Sequence, residues 1–527
     1  MHNYRRPSLS KNIAGAFILI VASVLIVFIT SCTSGRSSGN QPTPDVNLFI
    51  SALKTFNLVA QPGSIQNVDV LKLCSEGFLP SCYGNNQGAP YCVFTLPPSL
   101  NQNPSQGQAP PIGYDPDNPN NYPANLDFFP TGALYKLTPQ EAIVIIGKNP
   151  PGCKYFSYIP YIALTENRPG KDYSGIYISG NSTVGFYHRI FGSVCDPVNN
   201  FNIRSEKTPN GSAGDPFNSG TVIVVASDKK TCEKVFLSLN KAGYPSSIIN
   251  QQIIPSGVLR MGLEKGKDNF TLLGRMSMWT DETAGNNYIA NLNSYLKIFR
   301  ITPDSIVAAD PYPMPELKPR GSGTTEFELV ANLTPDLETL RAGILQQYAT
   351  SDYTYVEYTT DMAVPDGLVA YTNDTDALAD NRDTTYLQTP DFQFNSDDDF
   401  AIVYGLNHDV TGKSAYGNIV FYGRELLNGV ANLFSPNFPG TANGFFPAEY
   451  AGASNYYMYK CARKQSIPGE NCLIIPKSTG NPDGKAYGVD NDKNAFITFR
   501  SYFEKATGIG PAYSEIVHDR VILFHKK

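Results

Sequence analysis

An N-terminal basic and apolar segment constrains this chain most, because it decides on which side of a membrane the rest must fold. Arg5, Arg6 and Lys11 precede the uncharged run "NIAGAFILIVASVLIVFITSC", which spans residues 12–32. Positive charge before an apolar run holds the N-terminus in the cytoplasm and sends the following chain across the membrane. Residues 33–527 are therefore expected to fold outside the cytoplasm, in an oxidising compartment.

The apolar run ends in Ile29-Thr30-Ser31-Cys32, and a tether rich in Ser, Gly and Pro occupies residues 32–46. This ending resembles the lipobox of bacterial lipoprotein signals, which is an aliphatic residue, two small residues and a Cys. The resemblance implies that residues 1–31 are a signal peptide and that Cys32 is lipidated, which anchors the protein in the membrane. The run is also long enough to span a bilayer, so an uncleaved single-pass anchor is the alternative. Both interpretations predict a membrane-anchored protein of the cell envelope.

The charge of the exported part excludes one class of partner. Removal of residues 1–31 leaves 38 basic and 47 acidic residues, a formal charge of −9. This balance, and the absence of a dense Lys/Arg block, argues against a nucleic-acid partner. An acidic chain is compatible with cation binding but does not require it.

A nucleotide partner is also disfavoured, although Gly412-Lys413-Ser414 ends like a phosphate-binding loop. A P-loop needs four residues between its first Gly and the Gly-Lys pair, because loop length sets how backbone amides wrap the phosphate. Six residues separate Gly405 from Gly412, and Asn407 stands where the first Gly should be. We expect a strand–loop–strand connection here.

Eight cysteines remain beyond Cys32, an even number that favours disulfides in an oxidising compartment. No Cys-x-x-Cys motif occurs, which disfavours a zinc ribbon or a redox site. Eight cysteines allow 105 pairings, so the sequence does not fix their connectivity. The best candidate pair is Cys461 with Cys472, because two β-rich runs flank a Pro-Gly turn between them.

The composition and the positions of the Gly- and Pro-rich turns predict a β-rich α+β fold with two main units. A Cys-bearing region with a Pro/Asn-rich loop covers residues 47–126. The first main unit covers residues 127–310, a Pro/Gly-dense linker covers 311–325, and a mostly β unit with one helix covers 326–527.

The first unit shows the element order β-α-β-β-α-β, for which a ferredoxin-like topology is one option. Its first helix is expected after the capping residue Asp228, and the helix of the second unit is expected to start at Pro335. The second unit is expected to start with "EFELVANL". Aromatic runs at residues 155–164 and 416–423 follow similar features in the two units. A distant duplication is therefore left open.

The loop at residues 407–416 concentrates side chains that handle protons. His408 and Asp409 could act together as a general base, and Lys413 could stabilise developing negative charge. The alternative is a polar connection in which His and Asp cap the backbone. No Gly-x-Ser-x-Gly motif is present, which argues against an α/β-hydrolase.

Calcium is the one cofactor that the sequence brings into consideration. Asp490, Asp492 and Asn494 begin an Asp-x-Asp-x-Asn loop of oxygen ligands. Ala495 replaces the Gly of an EF-hand and Ser501 replaces its bidentate Glu, so a site here would need other ligands. A second acidic run, residues 395–399, could instead be a solvated turn.

Tyrosines near loops make a glycan or protein ligand a further option. The ring of a tyrosine provides contact area, and its hydroxyl provides a hydrogen-bonding group. They are Tyr353, Tyr355, Tyr358, Tyr450, Tyr456, Tyr457 and Tyr459. The alternative is packing between strands. The sequence therefore predicts a tethered envelope protein with a binding or structural role. A secreted hydrolase that uses the His408 loop is the alternative, and whether the chain is an enzyme stays open.

Overall fold

A computed structural model gives the architecture of most of the chain. It describes residues 43–68, 91–100, 102, 132–171, 173, 183–184, 187–305, 308–425, 428–478 and 488–527. The predicted signal segment, Cys32, Cys74, Cys82 and nearly all of the Pro/Asn-rich loop lie outside the described residues. Within them, no helix is both long enough and apolar enough to cross a membrane.

Helices in the described residues begin at capping side chains or at turns. They are α1 (Val46–Lys54), α2 (Lys229–Lys241), α3 (Glu282–Ala290), α4 (Leu292–Tyr295), α5 (Glu326–Leu329), α6 (Leu333–Tyr348), α7 (Gly367–Asn373) and α8 (His408–Thr411). The prediction for α2 is confirmed, because the Asp228 carboxylate accepts a hydrogen bond from the Thr231 amide at 2.8 Å. Helix α6 starts two residues before the predicted Pro335.

In the described residues before the linker there are twelve strands. They are β1 (Leu58–Pro62), β2 (Ser64–Val68), β3 (Tyr91–Thr95), β4 (Ala142–Lys148), β5 (Cys153–Glu166), β6 (Thr183–Val184), β7 (Tyr187–Ser193), β8 (Val198–Asn199), β9 (Gly220–Ala226), β10 (Ile249–Ile253), β11 (Asn269–Trp279) and β12 (Leu296–Pro303). We call the part from α1 to β12 the first half.

Ten described strands follow the linker. They are β13 (Tyr353–Thr359), β14 (Asp361–Met362), β15 (Thr384–Gln388), β16 (Phe400–Leu406), β17 (Tyr416–Gly423), β18 (Asn428–Phe434), β19 (Tyr456–Ala462), β20 (Cys472–Ile474), β21 (Ala495–Tyr502) and β22 (Arg520–Lys526). We call the part from α5 to β22 the second half.

The strands form four sheets, two in each half. In the first half, sheet 1 has the order β1-β12-β4-β9-β10, and sheet 2 has the order β2-β3-β11-β5-β7-β6, with β8 also paired to β5. In the second half, sheet 3 has the order β13-β22-β16-β19-β20, and sheet 4 has the order β14-β15-β21-β17-β18. The mixed, β-rich α+β class that the sequence predicts is confirmed.

The two halves repeat one topology. Sheets 1 and 3 match strand for strand, and in each the last pair alone is parallel. Sheets 2 and 4 match over five antiparallel strands. Even side-chain contacts correspond: Glu141 accepts from Thr302 at 2.8 Å, and Asp399, at the equivalent register, contacts His525 at 2.8 Å. The chain is therefore an internal structural duplication.

Each half buries its five-stranded sheet on both faces. In β4, Ile143 and Ile145 pack toward sheet 2, while Val144 and Ile146 pack under α1 and α2. Sheet 3 packs likewise between sheet 4 and α6. Strand side chains alternate between faces, so a strand covered on both sides must be apolar throughout. This explains the continuous apolar runs in the sequence.

Sheets 2 and 4 face each other, and a segment of the second half crosses between the halves. We call residues 374–383 the strap. Its Ala377 amide donates to the Ile190 carbonyl at 2.7 Å, and its Ala379 amide donates to the Phe191 carbonyl at 2.9 Å. The strap therefore runs alongside β7, which belongs to the first half.

Three predictions about the fold need correction. Residues 44–527 form one compact body, so the linker at 311–325 does not separate two. The first half is not ferredoxin-like, because β11 lies in sheet 2 whereas β4, β9, β10 and β12 lie in sheet 1.

One helix was predicted for the second half, but its described residues contain three short helices besides α6. Its opening segment begins with helix α5, where Thr325 and Glu328 form a capping box.

The close approach of α7 to β7 gives a first prediction. A Cβ added at Gly367 would overlap the backbone nitrogen of Ser193 and the carbonyl carbon of Gly192. We expect Gly367→Ala to lower the free energy of unfolding by about 1–3 kcal/mol, as overpacking does. Thermal unfolding measures this, with Gly444→Ala as the control, since nothing lies within 4 Å of its added Cβ. An unchanged Tm for Gly367→Ala would contradict this packing.

Candidate functional site

His408 lies on α8, a single helical turn between β16 and β17. Its Nδ1 atom is 2.9 and 3.0 Å from the two carboxylate oxygens of Glu326, and its Nε2 atom is 3.7 Å from Asp519 Oδ2. Burial disfavours the charged imidazolium, but these two carboxylates outweigh burial and raise the pKa of His408 well above its ordinary value. The ring is therefore a buried cation between two anions, which is poorly suited to accept a proton as a general base.

Lys413 is also held in a buried ion cluster. Its side chain is 2 % exposed, and its Nζ atom donates to Glu504 at 2.7 Å, to Ser322 Oγ at 3.0 Å and to Glu515. Burial opposes the charge, yet the two glutamates raise the pKa of Lys413 above its ordinary value. This ammonium joins the residues before α5 to the segment after β21.

A cavity of about 20 Å³ lies beside the His408 ring, with Asp409, Ser435, Tyr457 and Asp519 among its lining residues. That volume suits one water molecule. Among the described residues, His408 Nε2 and Asp409 Oδ1 have no hydrogen-bond partner. Both residues line the cavity, so these polar atoms are available to a water molecule in it. The structure brings the three predicted catalytic residues to one region, but it leaves no room for a substrate in this cavity.

The predicted calcium loop forms a turn whose oxygens contact protein donors. Asp490 accepts from Ser478 at 2.6 Å, and Asn494 accepts from Gln393 at 2.8 Å. Asp492 takes a left-handed conformation, with φ of 62°. The described residues contain no group of three or more His, Cys, Asp or Glu side chains placed to hold a metal ion. Two of the three predicted ligands, Asp490 and Asn494, therefore contact separate donors of the protein.

Two lysines and a histidine of the protein itself contact the carboxylates of the second acidic run. Asp397 pairs with Lys477, Asp398 pairs with Lys464 at 2.9 Å, and Asp399 pairs with His525 at 2.8 Å. Each carboxylate points to a different partner, so their mutual repulsion is relieved without a shared metal ion.

Cys461 and Cys472 are both free, contrary to the expected disulfide. Their strands, β19 and β20, are adjacent but parallel, with Lys460 opposite Cys472 and Cys461 opposite Leu473. Neighbouring positions along a strand point to opposite faces, so Cys461 packs between sheets 3 and 4 while Cys472 packs on the α6 side. The prediction assumed an antiparallel hairpin, which the Pro-Gly turn does not form.

The tyrosines singled out from the sequence divide between the core and the surface. Tyr456 and Tyr457 are 0 % and 1 % exposed, and their rings stack on Phe446 and Phe438 respectively. Tyr355, on the edge strand β13, is 43 % exposed. Tyr456 and Tyr457 are therefore strand packing, whereas Tyr355 remains at the surface.

Sequence reasoning missed two buried carboxylates of the strap. Asp380 accepts from the Ser193 amide at 2.6 Å and from the Gly367 amide at 2.9 Å, and Asp383 accepts from Asn199 Nδ2 at 2.5 Å. Burial raises the pKa of Asp380 to about 6 and that of Asp383 to about 8. The surrounding stretch, residues 361–399, is polar and rich in Asp, so its pattern resembles a surface loop.

Sequence reasoning also missed a group of arginines and tyrosines where sheets 2 and 4 face each other. Arg275 on β11 lies opposite Tyr91 on β3, and Arg500 on β21 lies opposite Tyr386 on β15. Each guanidinium carbon is 5.7 Å from the centroid of its partner ring. Arg in "LGRMSMW" and "ITFRSYF" was visible in the sequence, but only the strand register reveals that the two pairs correspond.

The Lys413 cluster gives a second prediction. We expect Lys413→Met to lower the free energy of unfolding by about 3–5 kcal/mol, because the change leaves Glu504 and Glu515 without their buried cation. Chemical denaturation measures the loss. The control is Lys477→Met, at an exposed pair, which should cost about 1 kcal/mol or less. Equal losses in the two variants would show that the buried cluster contributes no more than a surface pair.

Asp383 gives a third prediction, on pH dependence. Its pKa rises from 3.8 in an exposed chain to about 8 in the fold, so between these values only the unfolded chain loses the proton. Stability should therefore fall as the pH rises from about 4 to about 8, and this contribution should level off above pH 8.

Asp383→Asn removes the titration while keeping the shape. We expect its Tm to exceed that of the wild type at pH 8 and the difference to shrink toward pH 4. Asp215→Asn, at a side chain that is 64 % exposed, is the control. A Tm difference that does not change with pH would contradict the burial of a protonated Asp383.

Comparisons with known proteins add no functional assignment. No family model matches the chain, and no curated protein matches it significantly. Among solved structures, an uncharacterised protein from Burkholderia cenocepacia aligns over 86 % of each chain, with 9 % identity and a TM-score of 0.31. The VPA0106 protein from Vibrio parahaemolyticus aligns over 74 % of this chain and 87 % of its own, with 10 % identity and a TM-score of 0.30. Likeness at this level defines neither a shared fold nor a shared activity.

Proposed function

We propose that this chain is an exported lipoprotein, anchored in the membrane through Cys32, whose folded part has a binding or structural role in the cell envelope. The observation that carries the proposal is the sequence Ile29-Thr30-Ser31-Cys32 at the end of an apolar run that follows Arg5, Arg6 and Lys11. An uncleaved anchor formed by the same run is the alternative for the attachment.

The burial of the His408 cluster supports a binding or structural role over catalysis. A general base must reach the proton that it removes, directly or through one water molecule. His408 and Lys413 are both buried, and the carboxylates of Glu326 and Glu504 contact them. A hydrolase based on this loop would first need to break these ion pairs.

The edge strand β13 supports the binding part of the proposal. Tyr355 and Val356 are 43 % and 45 % exposed, and β13 is the outermost strand of sheet 3. An edge strand offers backbone donors and acceptors to another chain, and exposed side chains add contact area. A glycan or a protein at the cell surface is therefore the proposed class of ligand.

Lipid attachment gives a fourth prediction. In a bacterial host supplied with labelled palmitate, the full-length chain should incorporate label and fractionate with the membrane. Cys32→Ser should incorporate no label and should accumulate as the longer precursor, because lipidation requires the thiol. Ser31→Ala keeps a small residue before the Cys and should behave like the wild type. Labelling of Cys32→Ser, or an unlabelled wild type of precursor length, would reject the lipoprotein and favour the uncleaved anchor.

A further inference from the structure

The arginine and tyrosine pairs between sheets 2 and 4 each contain a second tyrosine. Arg275 Nη2 donates to the Tyr161 hydroxyl at 2.6 Å, and Arg500 Nη2 donates to the Tyr422 hydroxyl at 2.6 Å. Tyr161 lies opposite the residue four positions before Arg275, and Tyr422 lies opposite the residue four positions before Arg500. The duplication therefore supplies the same Arg-Tyr-Tyr arrangement twice.

The two arrangements meet across the interface. Burial raises the pKa of Tyr91, and Arg275 and Arg500, one from each half, both oppose that rise. Burial likewise raises the pKa of Tyr386, against the same two arginines. Each of these tyrosines therefore lies within electrostatic reach of both guanidinium groups. We call the six side chains the arginine–tyrosine centre: Arg275, Arg500, Tyr91, Tyr161, Tyr386 and Tyr422.

Arg275 carries a buried positive charge that the described residues do not neutralise by an ion pair. It is 6 % exposed, its Nη2 also donates to the Ala379 carbonyl at 3.0 Å, and its guanidinium hydrogen-bonds to Tyr386. Its Nε–H has no hydrogen-bond partner among the described residues. A buried guanidinium with an unpaired N–H donor is costly. An anion bound against it would neutralise its charge and accept a hydrogen bond from that donor.

Solvent reaches one side of the centre. Tyr161 and Tyr422 are 0 % and 4 % exposed, whereas Tyr91 and Tyr386 are partly exposed. Tyr91 and Tyr386 are thus both close to the guanidinium groups and not fully buried. Phenol O–H and guanidinium N–H groups are donors of the kind that bind phosphate and carboxylate oxygens.

We propose that the arginine–tyrosine centre is a binding site for a small oxyanion, such as inorganic phosphate or a carboxylate. The Nε–H of Arg275 and the hydroxyls of Tyr91 and Tyr386 would donate to the anion, and the guanidinium charge of both halves would attract it. The site lies on the seam between the halves, so a bound anion stabilises their association. This inference does not rest on export or on lipidation.

Anion titration of the purified full-length chain tests the site and gives a fifth prediction. Tm is measured in rising inorganic phosphate and, at matched ionic strength, in chloride, and a third series in acetate separates carboxylate from phosphate recognition. We expect a saturable rise of several degrees in phosphate beyond that in chloride, because a ligand that binds only the folded state stabilises it. An equal response to chloride and to both oxyanions would overturn the proposal.

Variants assign the effect to the centre. Arg275→Gln should abolish the phosphate-specific rise, whereas Arg424→Gln, at a partly exposed arginine paired with Asp391, should retain it. Because Arg275→Gln can fail to fold, Tyr91→Phe is the second variant. It keeps the ring, removes one donor and should weaken phosphate binding at least several-fold by calorimetry. Unchanged phosphate affinity in Tyr91→Phe, together with an unchanged response in any folded Arg275→Gln, would overturn the assignment.

Discussion

Hydrogen bonding of polar groups that are buried between sheets 2 and 4 is the constraint on which the rest of the structure depends. The Tyr155 hydroxyl lies 2.6 Å from Ser157 Oγ and accepts from Asn381 Nδ2 at 2.5 Å, and its ring packs on Tyr502 with centroids 5.2 Å apart. Buried polar groups are costly unless paired, so one relative placement of the halves satisfies them and others do not. This explains why two topologically complete halves form one compact body.

Duplication explains why chemistry-bearing residues recur in pairs, and divergence explains why their partners differ. Glu141 in the first half forms a fully buried ion pair with Arg300, at 2.7 Å. Asp399, at the equivalent position, instead contacts His525. A carboxylate at this position satisfies backbone and side-chain donors at the start of a central strand in both halves. The position is conserved between halves by structural need, and its partners follow from the local neighbours.

Burial gives a structural role to the polar loop residues that the sequence suggested as functional. His408, Lys413 and the strap aspartates occur in stretches rich in Asn, Asp, Gly and Thr, which are typical of solvated loops. In the fold they lie under neighbouring segments that are distant in sequence, such as Glu326 and Glu515. The residue pattern of a loop indicates its local backbone preference. The segments that bury a loop come from elsewhere in the chain. Their neighbours therefore could not be inferred from spacing.

The sequence by itself determined the local elements of this protein: the apolar strands, the Asp228 cap of α2 and the buried face of α6 follow from side-chain periodicity and capping chemistry. Only the tertiary structure decided which strands share a sheet, that β20 runs parallel to β19, and that the two halves repeat one topology. It also placed Tyr91 and Tyr386 within electrostatic reach of both Arg275 and Arg500. Strand pairing joins residues far apart in the chain, and register depends on which faces become buried, so local patterns do not encode it.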